Sequence, residues 1–151
     1  MEENLRNEPA GTDRERFVPA CTEAEAGNYS PLVLAFAGDA YYELAIRTMF
    51  VMRGNARPND LNRNKNRFVK AGAQAEMMKA IEPVLTERER LIFRRGKNAK
   101  PHTMAKNATV SEYHRATGFE ALVGYLYLSG QTDRALELIA AGVDAVSRKE
   151  C

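Results

Sequence analysis

The sequence predicts an all-α protein. Apolar residues recur every three or four positions through long stretches, which begin at capping residues and end near glycine. No run alternates apolar and polar residues between turn residues, as a strand would. With 151 residues and 44% hydrophobic content, the chain is long enough for one domain with a buried core.

The chain divides into three parts by composition. Residues 1–29 are polar and acidic and are interrupted by proline and glycine, so we expect an acidic flexible arm there. Residues 30–147 carry the helical periodicity and form the predicted domain, and residues 148–151 form a short C-terminal tail.

Five helices are expected in this domain. The first is PLVLAFAGDAYYELAIRTMFVM, with Ser30 as N-cap and Pro31 at the first helical position. The second is NDLNRNKNRFVKAGAQAEMMKAIE, read as one continuous helix, and the third is LTERERLIFRRG, capped by Thr86. A basic loop, KNAKPHTMAKNAT, separates it from the fourth helix, VSEYHRATGFEALVGYLYLSG, and TDRALELIAAGVDAVSRK forms the fifth.

Charge is unevenly distributed although the net charge is only +2. Residues 52–106 hold fourteen Lys or Arg against five acids, whereas residues 1–29 hold three Arg against seven acids. Basic clustering is typical of proteins that bind polyanions. Taken alone, however, the charge favours an ordinary solvated helical surface.

Several classes of function are disfavoured. The sequence has no apolar run of the roughly 20 residues that cross a bilayer, and its N-terminus lacks the apolar core of a signal peptide, so we expect a soluble cytoplasmic protein. Cys21 and Cys151 lie near opposite ends, and His102 and His114 have no partner at metal-ligand spacing. A zinc site or a redox pair is therefore not expected.

One acid interrupts each of two helices that otherwise read as buried. Asp39 lies in LAFAGDAYYE, and Glu120 lies in FEALVGYLYL. An unpaired buried carboxylate is costly, so each acid must be protonated, exposed at a cleft, or offset by a cation. Two such acids suit a hard divalent cation such as Mg²⁺, although a single acid at a helix edge is commonplace. Gly38 weakens the first helix by about 1 kcal/mol relative to alanine, and its presence suggests that some other group approaches the helix backbone closely there.

These stretches resemble a known family. FAGDAYYE resembles the signature helix of the ribonuclease III catalytic domain, and GFEALVGYLYL resembles the second acidic helix of that family. The intervening NDLNRNKNRFVKAGAQAEMM and LIFRRGKNAKPHTMAKNATVSEYHRATGFEAL resemble Mini-ribonuclease III, a compact subfamily without the appended double-stranded RNA-binding domain. The resemblance covers about residues 30–146 and implies a ribonuclease III-like helical bundle that forms a symmetric homodimer.

The resemblance also implies an activity. Asp39 and Glu120 match the central catalytic acids, which hold Mg²⁺ for hydrolysis of double-stranded RNA to 5′-phosphate and 3′-hydroxyl ends. The implied substrate is a ribosomal RNA precursor, in the maturation of large-subunit (23S) ribosomal RNA. Two further acids of the larger enzymes are replaced here by Ala35 and Thr117. Glu43, one helical turn after Asp39, is either a further metal ligand or a partner of Arg47.

The basic loop is the expected RNA-binding segment, because duplex RNA is recognised mainly through its phosphates and 2′-hydroxyls. Arg94 and Arg95 alternatively cap the C-terminus of the third helix, and Arg63, Lys65 and Arg67 are secondary candidates. A noncatalytic helical module that binds structured RNA or a ribosome-assembly partner is the alternative function. The predicted RNA-binding residues are Arg94, Arg95, Lys97, Asn98, Lys100, His102, Lys106 and Asn107.

Overall fold

The computed structural model describes residues 13–99 and 109–149. Within these ranges the chain forms α-helices and short 3₁₀ turns and has no strand, which confirms the all-α prediction. The 3₁₀ turns are Asp13–Phe17 and Glu82–Val84. The helices are α1 (Glu23–Gly27), α2 (Pro31–Arg53), α3 (Pro58–Val69), α4 (Ala71–Ile81), α5 (Glu87–Lys97), α6 (Val110–Leu128) and α7 (Thr132–Lys149).

Most helix ends lie where the capping residues predict them. Helix α2 begins at Pro31, directly after Ser30. At the start of α5, the Thr86 hydroxyl accepts a hydrogen bond from the Glu89 backbone (3.1 Å), and the Glu89 carboxylate accepts one from the Thr86 backbone (2.8 Å). This capping box confirms the predicted cap. The turn after α6 contains Gly130 at φ 74°, a left-handed conformation that favours glycine.

The predicted second helix is wrong, because it is broken at Lys70. This residue has an extended backbone (φ −68°, ψ 152°) and separates α3 from α4. The break frees carbonyl groups at the end of α3, and buried side chains bind them. The Tyr42 hydroxyl donates to the Phe68 carbonyl (2.6 Å), and Gln74 Nε2 donates to the Val69 carbonyl (3.1 Å).

Part of the predicted N-terminal arm packs against the helical domain. Ala26 in α1 is fully buried, and the Cys21 backbone donates a hydrogen bond to the Leu128 carbonyl (3.0 Å). Arg95 donates to the carbonyls of Gly27 (2.6 Å) and Tyr29 (3.2 Å). Residues 21–29 are thus held on the domain by contacts that their polar composition does not reveal.

The core surrounds α6, which packs against α2, α4 and α5. A partly buried ion pair joins α7 to α5, since Arg134 donates to both carboxylate oxygens of Glu89 (2.9 and 3.0 Å). Among the helices described, none has the length and apolar character needed to span a membrane.

Helices α2 and α6 cross with their backbones in contact. A Cβ on Gly38 would overlap the Glu120 carbonyl oxygen and lie 2.7 Å from the Gly124 nitrogen, and a Cβ on Gly124 would overlap the Leu34 carbonyl. Glycine is needed at both positions because any side chain would separate the helices. The close approach predicted from Gly38 is therefore confirmed.

Candidate active site

The backbone contact between α2 and α6 brings Asp39 and Glu120 together. Asp39 directly follows Gly38, and the Glu120 carbonyl is the group against which Gly38 packs. Both acids line an open cavity of about 290 Å³ between α2, α4 and α6. Asp39 is exposed, and Glu120 is half-buried.

The two carboxyl groups interact directly. Burial raises the pKa of Glu120 to about 9, and the negative charge of Asp39 and a hydrogen bond with Asp39 add to the shift. At neutral pH, Glu120 therefore retains a proton. Of the three alternatives for these acids, exposure at a cleft applies to Asp39 and protonation applies to its neighbour Glu120.

The donor set fits a hard divalent cation. Two carboxyl oxygens face one cavity, and their mutual repulsion is relieved either by a proton or by a cation that contacts both. Mg²⁺ is commonly held by one or two carboxylates and keeps several of its waters. Across residues 13–99 and 109–149, no group of three or more Asp, Glu, His or Cys is placed to hold a metal ion.

The two positions at which the larger enzymes have further acids also lie at this cavity. Ala35 and Thr117 both line it, and both are buried. The Thr117 hydroxyl donates to the Tyr113 carbonyl (3.0 Å), so it is engaged within α6. These positions add no charge beside Asp39 and Glu120.

Glu43 is engaged in ion pairs. Its carboxylate oxygens lie 3.0 Å from Lys65 Nζ and 3.1 Å from Arg47 Nη2, and the hydrogen bond from Lys65 lowers the pKa of Glu43. It does not contribute to the wall of the cavity. Of its two interpretations, the pair with Arg47 is present.

The structure describes only half of the predicted RNA-binding residues. Arg94 and Asn98 are exposed at the end of α5, and Lys97 is half-buried. Arg95 is bound to backbone carbonyls of residues 27 and 29, so it stabilises a helix end, although the end is that of α1 rather than of its own helix. The other four lie outside the described residues: Lys100, His102, Lys106 and Asn107.

The secondary basic candidates on α3 have partners within the protein. Arg63 lies 3.7 Å from Asp60, and Lys65 binds Glu43. The guanidinium of Arg67 lies 5.6 Å from the centre of the Phe68 ring. This surface of α3 is therefore partly neutralised.

Phe36 and Gln74 are among the residues of the cavity wall that the sequence did not predict. Phe36 is 83% exposed at the cavity, and Gln74 of α4 is only 2% exposed. A glutamine among the apolar residues of AGAQAEMM was a detectable oddity, comparable to the acids of α2 and α6. The sequence alone does not reveal that α4, which carries Gln74, borders the two acids.

Comparisons with known proteins agree with this geometry. The ribonuclease III domain model matches residues 32–131. The chain is 49% identical over 118 residues to Mini-ribonuclease 3 of Symbiobacterium thermophilum, covering 78% of this chain and 91% of that protein. It is 50% identical over 110 residues to Mini-ribonuclease 3 of Enterococcus faecalis, covering 72% and 83%.

A solved structure shows the same fold. The crystal structure of a Fusobacterium nucleatum protein superposes with a TM-score of 0.71 at 34% identity, covering 82% of this chain and 98% of that one. The resemblance found in FAGDAYYE and GFEALVGYLYL is thus confirmed by the family match, by the curated relatives and by this fold. The chain belongs to the ribonuclease III domain family.

Proposed function

We propose that this protein is a Mg²⁺-dependent endoribonuclease that hydrolyses double-stranded RNA and leaves 5′-phosphate and 3′-hydroxyl ends. Family membership makes it a ribonuclease of the hydrolase class. The observation that supports the finer statement is the contact between Asp39 and Glu120 in an open cavity.

Asp39 and Glu120 are the residues that would hold the cation. When bound, Mg²⁺ supplies a Lewis acid that lowers the pKa of water and offsets charge on the phosphate. Asp39 provides one negative charge, Glu120 would provide a second on losing its proton when the cation binds, and the α2–α6 contact brings the two acids together. Exposure of Asp39 leaves the pair accessible to a phosphodiester too large to enter a closed pocket.

The exposed end of α5 is the proposed contact with the RNA backbone. Arg94 is exposed there, and Lys97 and Asn98 follow at the start of the basic segment. Such groups bind phosphates and 2′-hydroxyls without reading base edges. If they do so, affinity for duplex must fall steeply with salt, and a salt-independent affinity would contradict this assignment.

The direct test is cleavage of an end-labelled RNA duplex beside a single strand of the same sequence. We expect the protein to cut the duplex only, to require Mg²⁺, and to stop when a chelator is added. The product ends are identified by their response to a 5′-phosphate-dependent exonuclease. Binding of duplex without cleavage across a broad Mg²⁺ range would contradict the activity and favour an RNA-binding module.

We also propose that the chain acts as a symmetric homodimer. Apolar side chains of α2 face solvent at helical spacing, with Phe36 83%, Leu44 62% and Val51 59% exposed. An exposed apolar stripe of this kind is typical of an interaction surface, and two copies of one helix face form a closed two-fold interface. A dimer would place two catalytic pairs on one duplex, one for each strand.

Replacement of Leu44 by glutamate is expected to give a monomer, because two buried negative charges would face each other across the axis. Sedimentation equilibrium should give twice the chain mass for the parent and the chain mass for L44E. Leu136→Glu, which changes an exposed apolar residue of α7 (46% exposed), serves as the control and should remain dimeric. A monomeric parent at micromolar concentration would refute the dimer.

The natural substrate is proposed to be a precursor of large-subunit (23S) ribosomal RNA, on the strength of the subfamily resemblance. Incubation of the purified protein with precursor transcripts tests this. Cleavage at one defined position in the paired region that flanks the mature ends would support it, and scattered cleavage would not.

A further inference from the structure

Gln74 is a buried polar residue with one unused hydrogen-bonding group. Its side chain is 2% exposed, and its Nε2 donates to the Val69 carbonyl (3.1 Å). Its Oε1 is buried and accepts no hydrogen bond from the described part of the chain. A buried acceptor left in this state costs about 1–3 kcal/mol, so its retention needs an explanation.

The orientation of the amide is fixed by the helix break at Lys70. Because the break leaves the Val69 carbonyl without a helical partner, the amide must present its nitrogen to that carbonyl. The opposite orientation would face two oxygen acceptors against each other. The atom that remains without a partner among the described residues is therefore Oε1, an acceptor that requires a hydrogen-bond donor.

Gln74 also lines the cavity that contains Asp39 and Glu120. The volume of about 290 Å³ far exceeds the roughly 30 Å³ that one water occupies in the liquid. The remaining wall is largely apolar, apart from Thr117 and Tyr113. A water inside this cavity thus has few acceptors available besides the two carboxyl groups and the amide of Gln74.

We propose that Gln74 is a positioning residue, whose Oε1 accepts a hydrogen bond from a water of the hydrated cation held by Asp39 and Glu120. The inference rests on the proposed function and adds a third oxygen to the site. Mg²⁺ and Mn²⁺ keep part of their hydration shell in protein sites, and that shell donates hydrogen bonds outward. An amide accepts them without adding another negative charge beside Asp39.

Two substitutions separate this role from a purely structural one. Gln74→Leu removes both the acceptor and the donor to Val69. Gln74→Glu, when ionised, also loses the donor to Val69 but keeps an oxygen acceptor. If the oxygen matters, only the leucine variant loses cation affinity; if the bond to Val69 matters, both variants lose it equally. Gln131→Leu is the matched control, since its side chain bonds to Ser129 away from the cavity.

Affinity is measured on the RNA-free protein with Mn²⁺ alone, by the electron paramagnetic resonance signal of the free ion. We expect binding to weaken about 10–100-fold in Q74L, as for other groups that bond to the hydration shell of a metal, and to match or exceed the parent in Q74E. Circular dichroism establishes that each variant is folded, and Gln74→Met replaces Q74L if the leucine variant is not.

The outcomes distinguish this inference from the proposed function. Parent-like Mn²⁺ affinity in Q74L, or equal losses in Q74L and Q74E, overturns the role of Gln74 even when the parent cleaves duplex. A parent that binds no Mn²⁺ contradicts both. Parallel cleavage assays should show a lower kcat for Q74L with an unchanged KM for duplex, since Gln74 is too buried to touch RNA.

Discussion

Asp39→Asn is expected to lower the rate of RNA duplex cleavage by at least about 10³-fold, because asparagine keeps the shape but loses the charge proposed to hold the cation. Glu120→Gln should have a similar effect. Asp39 is exposed, so its change should leave the fold intact. Single-turnover cleavage with saturating enzyme measures the chemical step apart from RNA binding. Asp60→Asn, on the surface of α3, is the control and should cleave as the parent does.

Glu120→Gln should act in the opposite direction on stability. The folded-state pKa of Glu120, about 9, lies above its ordinary value of 4.5. The stabilisation by the protonated form is therefore complete below about pH 4.5 and is lost as the pH rises toward 9. Each pKa unit corresponds to about 1.4 kcal/mol, so the loss should reach a few kcal/mol in metal-free protein.

Thermal unfolding in the presence of a chelator tests this between pH 5 and 9. The Tm of the parent should fall across that range more steeply than that of Glu120→Gln, which has no proton to lose at this position. The variant should be the more stable protein at pH 8 despite its loss of activity. Parallel Tm curves would mean that the two carboxyl groups do not share a proton.

Gly124→Ala is expected to lower the free energy of unfolding by about 2 kcal/mol. The added methyl group would overlap the Leu34 carbonyl, which belongs to a helix backbone and cannot rotate away as a side chain can. Overpacking of a core typically costs 1–3 kcal/mol, and the higher helix propensity of alanine returns about 1 kcal/mol at most. Separation of α2 from α6 should also weaken cation binding, since Asp39 and Glu120 would move apart.

Urea unfolding measures the change, with Gly27→Ala as the matched control. A Cβ on Gly27 would meet only the end of the Arg88 side chain at 3.8 Å, so this variant should stay within about 1 kcal/mol of the parent. Equal effects of the two substitutions would show that the tight crossing is not the cause.

The predictions from sequence succeeded where local chemistry decides the outcome. Thr86 and Gly130 mark helix ends because capping and left-handed turns depend on neighbouring residues. The break at Lys70 was missed because no proline or glycine occupies that position, and it is stabilised by Tyr42 and Gln74 from outside α3. Tertiary contacts of this kind leave little trace in periodicity.

In the candidate site, too, the sequence predicts the unusual residues but not their tertiary contacts. Asp39 and Glu120 stand out as acids in apolar helices, and the family resemblance is sufficient to predict that they form a pair. Arg95 resembles its basic neighbours in sequence, yet it is bound to the carbonyls of Gly27 and Tyr29. Charge patterns identify a basic segment, but they do not separate cations that face solvent from cations that fasten one part of the chain to another.

The contact of Gly38 with Gly124 determines when the geometry of the proposed catalytic pair is established. Because main-chain contact fixes the backbone positions that carry the two acids, folding itself brings the pair together. The site is then preorganised before cation or RNA arrives, and little reorganisation energy remains to be supplied by substrate binding.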